Sequence, residues 1–328
     1  MKATEGYTAI RETAATYPRG TQLVELTGPG RQQLLNLVLA RPTEYAQPGT
    51  VAECLALDEA GNAIDLILCI IDESRIILLS DTEGGVITDL SARADAAGIG
   101  EVTIRPLPGW SAAAIEGPRS WRAVADVPDE DIAAVLLNEW RRVDVPPASS
   151  PGFLARTGGT AEYGYLIVAE ADSDALLSWL TSLATDVGGE PCSMDAIIRA
   201  RVEANHPVLG PQFDGVDVYE AGAAWMAGME RDDPFCGRIE RADAPSRRLV
   251  AVLTSEDVIE GAEVRYGNRV VGRVQFVAPR VGQPTMIALA LLEKPFDVPG
   301  LSLVANSAEL RTVARPTIDP VSWVESIE

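Results

Sequence analysis

A carboxylate at the head of an apolar strand needs a reason to be there, and Asp65 stands between Ile64 and the run Leu66-Ile67-Leu68. Burying such a charge without a partner is costly. It either caps the turn at Gly61-Asn62 or orients a bound group and steers a proton. Arg201 falls near the C-terminal end of a predicted helix, where a cation complements the macrodipole. Its planar guanidinium also suits bidentate pairing with a carboxylate. Glu162 lies beside Thr157, Gly158, Gly159 and Thr160, and by composition alone reads as a surface glutamate in a turn. Tyr165 is an aromatic in a strand, a place more often filled by core residues. His206 is the only histidine, so a histidine metal site or a Ser-His-Asp triad would have to be built around it, and no motif supports either. Cys54, Cys69, Cys192 and Cys236 form no C-x-x-C pair and read as inert thiols. Gly-x-Gly-x-x-Gly and Walker patterns are absent, and no metal site is implied.

The elements that must hold these residues alternate between strand and helix. Gln22 to Thr27 reads as a strand, Gly28-Pro29-Gly30 as a turn and Arg31 to Ala40 as a helix. Val51 to Leu57 and Ala63 to Ile71 read as strands of a hairpin turning at Asp58 to Asn62, followed by a strand at Arg75 to Leu79. Gly84 to Ala97 has helical spacing, and Val102 to Ile104 and Ala112 to Glu116 are strand candidates. The acidic cluster Asp129-Glu130-Asp131 reads as the solvated start of a helix running toward Trp140. Val143 to Gly152, with three prolines and two serines, reads as an exposed connection and a boundary between lobes. Tyr163 to Val168 is a strand, Asp172 to Thr185 a helix with an Asp or Ser cap, and Ser193 to Ala204 a helix opened by Ser193. From Arg248 onward, glycine-punctuated strands predict a small β-barrel or sandwich.

The chain has 328 residues, 47% of them hydrophobic, enough for two or three domains. Its 48 acidic against 27 basic residues give a formal charge of -21, which repels phosphate backbones and anionic lipids and argues against nucleic acid and membrane partners. The apolar run around Ile64 to Ile71 is far shorter than the roughly 20 residues of a membrane span. With no secretory leader visible, the expected location is the cytoplasm.

Several short motifs in order resemble the T-protein (aminomethyltransferase) family of the glycine cleavage system. YTAIRETAA followed by LVELTGPGRQQLL is similar to the family's opening. DEAGNAIDLIL resembles its Gly-containing turn and Asp-Asp-Leu strand, with Gly61 at the first glycine and Asp65 at the first aspartate. AAIEGPRSW resembles a strand followed by Gly-Pro. ARTGGTAEYGYLI resembles T-G-Y-T-G-E-x-G-Y-E-I, with Thr157, Gly158, Thr160, Glu162, Gly164 and Tyr165 matching. RARVEANHPVLG is similar to the L-R-L-E-A-G helix end, with Arg201, Glu203 and Ala204 in register. VYEAGAAW, PFCGR, RRLVAVL and NRVVGRV resemble later family pieces.

The resemblance implies an α+β fold: a T-protein-like three-domain ring with two mixed α/β lobes over residues 1–240, the first discontinuous, and a C-terminal β-barrel over 241–328. It implies tetrahydrofolate as cofactor in a central funnel, Asp65 as the catalytic carboxylate, and Glu162, Tyr165 and Arg201 as cofactor-binding residues. The expected activity is transfer of a methyl or aminomethyl group between a small-molecule donor and tetrahydrofolate, or demethylation. The alternative is a non-catalytic folate-binding protein or scaffold subunit, and a partner subunit completing the site stays open. The chain departs from the family at Leu66, where the second aspartate is expected, at Glu53-Cys54-Leu55 in place of Tyr-Ser-Gly, and at Leu166 in place of the second glutamate of the signature.

Overall fold

In the strand Ala63–Ile71 every residue but Ile64 is buried, and the reason is what covers each of its faces. A computed structural model describes residues 6–43, 46–82, 84–239 and 243–327. In it a five-stranded antiparallel sheet runs in the order β3 (Thr50–Leu57), β4 (Ala63–Ile71), β5 (Arg75–Ser80), β2 (Gln22–Thr27), β6 (Thr103–Pro106). Alternation sends Ile67, Cys69 and Ile71 to one face, where they pack with Leu34 and Leu35 of α2 (Arg31–Val38) and Leu90 of α3 (Leu90–Ala96). Leu68 and Ile70 face the other way, into a core shared with a second sheet. A strand covered on both faces has no solvent side for polar residues, hence the continuous apolar run.

The second sheet has the order β11 (Glu190–Pro191), β1 (Ala15–Arg19), β7 (Ser111–Glu116), β10 (Gly164–Ala169), β9 (Gly152–Arg156), β8 (Trp140–Val143). Its inner side chains Tyr17, Ala114, Phe153 and Leu166 meet Leu68, Ile70, Ile77 and Leu79 of the first sheet. Its outer side chains Ile115, Leu154, Tyr165 and Ile167 pack on Leu176, Leu180 and Ala184 of α5 (Ser173–Asp186). The first sheet, β2 to β6, is inserted in the chain between β1 and β7 of the second. Short α1 (Tyr7–Glu12) and α4 (Ser120–Ala123) flank the second sheet, and α6 (Met194–Ala204) contributes Ala196, Ile197 and Ala200 to the shared core.

The helix starts follow the capping residues. Asp172 accepts the N–H groups of Asp174 and Ala175, and Ser193 that of Ala196. In the hairpin between β3 and β4, Asp58 accepts the N–H groups of Ala60 and Asn62, and Gly61 takes φ +80°. That turn and a bulge after Ala56 set the register that pairs Ala56 with Asp65 and Glu53 with Leu68.

The expected C-terminal barrel is present and closed, in the order β12 (Arg247–Thr254), β15 (Met286–Glu293), β14 (Arg269–Val277), β13 (Glu263–Tyr266), β16 (Ser302–Ala305), β17 (Ala308–Val313), with β17 returning to β12. Val252, Val264, Val274, Ala290, Leu292 and Leu310 fill it. Its outward-facing Leu249, Phe276, Ile287 and Leu289 share a core with Leu55, Leu57 and Leu66 of the first sheet.

Two sequence expectations are corrected. The proline-rich stretch from Val143 to Gly152 joins β8 to β9, which pair antiparallel in one sheet, so it is a hairpin connection and no lobe boundary. The acidic cluster opens only a 3-10 turn, Ile132–Ala134, capped by Asp131, before the chain extends into β8. Several elements carried no expectation, among them the strands Ala15–Arg19, Trp140–Val143 and Gly152–Arg156 of the second sheet.

Candidate active site

α6 ends where Asn205 turns into the left-handed region at φ 65°, and the N–H of His206 reaches back 2.9 Å to the Arg201 carbonyl. Pro207 then prevents further helix. This C-terminal turn carries the imidazole toward β3, where Glu53 shares the strand face of Leu55 and Leu57. His206 Nε2 lies 2.7 Å from Glu53 Oε2, across 153 residues of sequence. The pair sits in the wall of a cleft of about 390 Å³, lined also by Arg41, Asn138, Gly158 and Trp225. Trp225, on the 3-10 turn Ala224–Met226, is 56% exposed at the mouth. A smaller hollow over Gly159 and Asn205 shares His206 and Trp225.

Behind the pair lies a network of buried charge. Arg19 Nη2 stands 3.4 Å from Glu53 Oε1 and 3.0 Å from Asp81 Oδ2, and Arg201 Nη1 is 3.9 Å from the same Asp81 oxygen. Burial alone would raise the Glu53 carboxyl, but the charge and hydrogen bond of His206, with Arg19 and Arg201 behind, hold it well below the usual carboxylate range. Asp81 is lowered in the same way, its burial outweighed by Arg19 and Arg201. Arg19 also lines a larger cleft of about 580 Å³ beside Gln22, Ser91, Trp110 and Ser173. Among the described residues that cleft has no other titratable lining group, and Arg19 is already held by Asp81 and Glu53, so the chemistry concentrates in the smaller one.

The glycine-rich loop from Thr157 to Thr160 is held by a residue the sequence did not single out. Glu116, buried at the end of β7, accepts the N–H groups of Gly159 and Thr160 at 3.0 and 2.9 Å, the Thr160 hydroxyl at 2.6 Å and the Tyr17 hydroxyl. A Cβ on Gly159 would come within 3.1 Å of the His206 ring and 3.2 Å of Arg201 Nε, so the loop lies close over both side chains.

The structure distributes the four residues expected from the sequence. Asp65 is completely buried and shares the strand face of Ile67 and Cys69, toward α2 and α3, opposite the face that carries Glu53 and Leu68. It accepts the Ser80 hydroxyl at 2.7 Å and the N–H groups of Leu66 and Val86 at 2.9 and 3.1 Å. Burial pushes its carboxyl up, with these donors opposing. A Cβ on Gly85 would meet Asp65 Oδ2 at 2.2 Å, so this corner is closely packed. Glu162 accepts the N–H groups of Val321 and Ser322 at 3.2 and 3.0 Å and the Ser322 hydroxyl at 2.5 Å, capping the 3-10 turn Val321–Trp323. Tyr165 is fully buried against α5, its hydroxyl without a hydrogen-bond partner and pushed up to about 12 by burial. Arg201 alone is near the cleft, packed behind Gly159 without lining the cavity, and its Nε and Nη2 have no hydrogen-bond partner. No sequence motif marks His206, and Glu53 stands out in the sequence only as a departure. That departure from the resembled pattern was the one legible signal of the pair.

Among the described residues no group of three or more His, Cys, Asp or Glu side chains could hold a metal ion, and no helix is long and apolar enough to cross a membrane. Burial pushes the Cys54 thiol up to about 12, far from a reactive thiolate.

Comparison with known proteins places this architecture. The chain is 25% identical to an aminomethyltransferase of Streptomyces coelicolor over 311 residues, 90% of this chain and 82% of that one. It is 30% identical to an aminomethyltransferase of Mycobacterium leprae over 231 residues, 68% of this chain and 61% of that one. The crystal structure of glycine cleavage system aminomethyltransferase T from Bartonella henselae superposes with a TM-score of 0.78 at 17% identity, covering 96% of this chain and 89% of that one. The two sheets, the inserted strands and the closing barrel thus follow the T-protein fold. The model of the GCVT N-terminal domain matches residues 5–231, both sheets and the loop that bears the cleft, and the chain belongs to that family.

Proposed function

We propose that this protein is a tetrahydrofolate-dependent transferase that moves an aminomethyl or methyl group from a small-molecule donor, using the cleft between β3 and the end of α6. The carrying observation is the cleft's set of side chains: the half-exposed Trp225 indole, the Arg41 guanidinium and the hydrogen-bonded Glu53–His206 pair in one wall. The volume suits the ring system of a ligand whose remainder stays outside. Trp225 would lie against the flat ring, and Arg41 would pair with a carboxylate of the tail. Glu53 and His206 would face the ring from the wall. Bound there, the reduced folate would supply the nucleophilic nitrogen that takes up the one-carbon unit.

In this reading Glu162 and Asp65 serve the frame. Glu162 ties the C-terminal turn to the loop before β10, and Asp65 pins the turn at Val86 behind the first sheet. Arg201 backs the Gly158-Gly159 loop and, through Asp81 and Arg19, fixes the charge on Glu53.

Calorimetric titration with tetrahydrofolate and 5-methyltetrahydrofolate tests the assignment. Wild type should bind, and Trp225→Ala should weaken binding by about three- to tenfold, as loss of an aromatic contact does. Failure of wild type to bind either compound removes the cofactor from the reading and leaves a scaffold on this fold.

A further inference from the structure

Arg19, only 5% exposed, touches both clefts. Its Nε lies 3.2 Å from Asp81 Oδ1 and its Nη2 3.0 Å from Asp81 Oδ2, and Nη2 is also 3.4 Å from Glu53 Oε1 in the wall of the smaller cleft. One edge of the guanidinium is thus fixed as a bidentate fork. The remaining nitrogen, Nη1, has no hydrogen-bond partner among the described residues, yet it is not sealed from solvent. Arg19 opens onto the larger cleft, whose volume of about 580 Å³ is within the range of small-molecule sites. Val24 and Ile104 of the first sheet, Ile87 ahead of α3, and Leu107 and Trp110 between β6 and β7 supply its apolar wall. In a chain with 48 acidic residues, no carboxylate among the described residues lines it. A cation would enter without a counter-charge, and a wholly apolar ligand would leave the guanidinium N–H groups unmatched.

We infer that this larger cleft is a second ligand site, for a small apolar carboxylate whose anionic head pairs with Arg19 Nη1 while its body lies along Trp110 and the apolar wall. Asp81 leaves that nitrogen free and holds the guanidinium still, so little side-chain freedom is lost on binding. The buried charges balance before the ligand arrives, Arg19 and Arg201 standing against Asp81 and Glu53. An incoming anion therefore meets no local excess of negative charge, and salt screens the acidic surface beyond about 8 Å. Occupation is linked to the smaller cleft, because the ligand's head draws on the same guanidinium that supports Glu53, itself 2.7 Å from His206.

Calorimetry with 4-phenylbutanoate and its uncharged amide, 4-phenylbutanamide, tests the site. Wild type should bind the carboxylate about tenfold more tightly than the amide, the factor carried by one hydrogen bond to a charged group. Arg19→Gln should bring the two within about threefold of each other. Ser91→Trp, at an exposed position of α3 that lines the cleft outside the charge network, should fill it and weaken carboxylate binding by at least about tenfold. Trp225→Ala, in the smaller cleft, should bind the carboxylate as wild type does. The single histidine supplies a second readout: its ring Cε1–H signal in NMR should shift on saturation of wild type with 4-phenylbutanoate and stay in place in Ser91→Trp. No binding of the carboxylate by wild type, equal affinity for the amide, undiminished binding by Ser91→Trp, loss of binding in Trp225→Ala, or a wild-type histidine signal unmoved at saturation overturns the inference. If Arg19→Gln does not fold, Ser91→Trp and the amide decide. Every outcome is read without folate, so the cofactor reading stands or falls separately.

Discussion

Glu162 illustrates at the scale of a residue how burial and hydrogen bonding reassign a carboxylate. Its two oxygens hold the N–H groups of Val321 and Ser322, residues about 160 positions away, and no local pattern announces that partnership. Replacing Glu162 with alanine leaves those donors without an acceptor and should cost about 1–3 kcal/mol of stability in urea unfolding. Tetrahydrofolate affinity, measured on the same variant, should stay within about threefold of wild type, the spread of an indirect effect. A collapse of affinity with unchanged stability would return Glu162 to the binding site. The signature around it was legible because glycine and threonine spacing is local. Its role was not, because a carboxylate's role is set by whichever donors the fold brings to it.

At the scale of elements, the end of α6 decides where His206 stands. Asn205 holds φ 65°, a conformation that costs most side chains about 1–2 kcal/mol but that asparagine tolerates. Asn205→Ala should lower stability by about 1 kcal/mol and displace the lone histidine's NMR signal. The network linking β1, β3, the end of β5 and α6 predicts a sign for the pH dependence. The folded carboxyls of Glu53 and Asp81 both lie below their ordinary values, so their contribution is fully present above the unfolded values of about 4 and is lost as pH falls through them toward the depressed folded values. Stability measured by urea unfolding should therefore decline below about pH 5, and Glu53→Gln should flatten that decline. An acid limb identical in the variant would remove Glu53 from it. Elements governed by local chemistry were readable: the caps Asp172 and Ser193, and the turn at Asp58 to Asn62. The prolines between Val143 and Gly152 signalled exposure correctly but said nothing of connectivity, since a hairpin loop and an interlobe linker have the same composition.

At the scale of the whole molecule, the barrel and the first sheet share one core. Phe276 from β14, 8% exposed, packs with Leu55, Leu57 and Leu66. Phe276→Ala should cost about 3–5 kcal/mol and lower the midpoint of one cooperative thermal transition. Two separated transitions, with only the barrel's shifted, would show that this shared core does not couple the parts.

The sequence by itself determined the kinds and order of most elements, the closing barrel and the family pattern, because periodicity, caps and turn residues act over a few positions. It also supplied the strongly acidic surface and the single histidine. Only the tertiary structure decided which charged residues meet. Strand register turned Asp65 away from Glu53 by placing them on opposite faces of one sheet, and the turn after α6 brought His206 to Glu53 from 153 residues away. Side-chain direction in a strand reverses at every residue, and contacts between distant segments depend on how whole elements pack, so neither is written in local spacing.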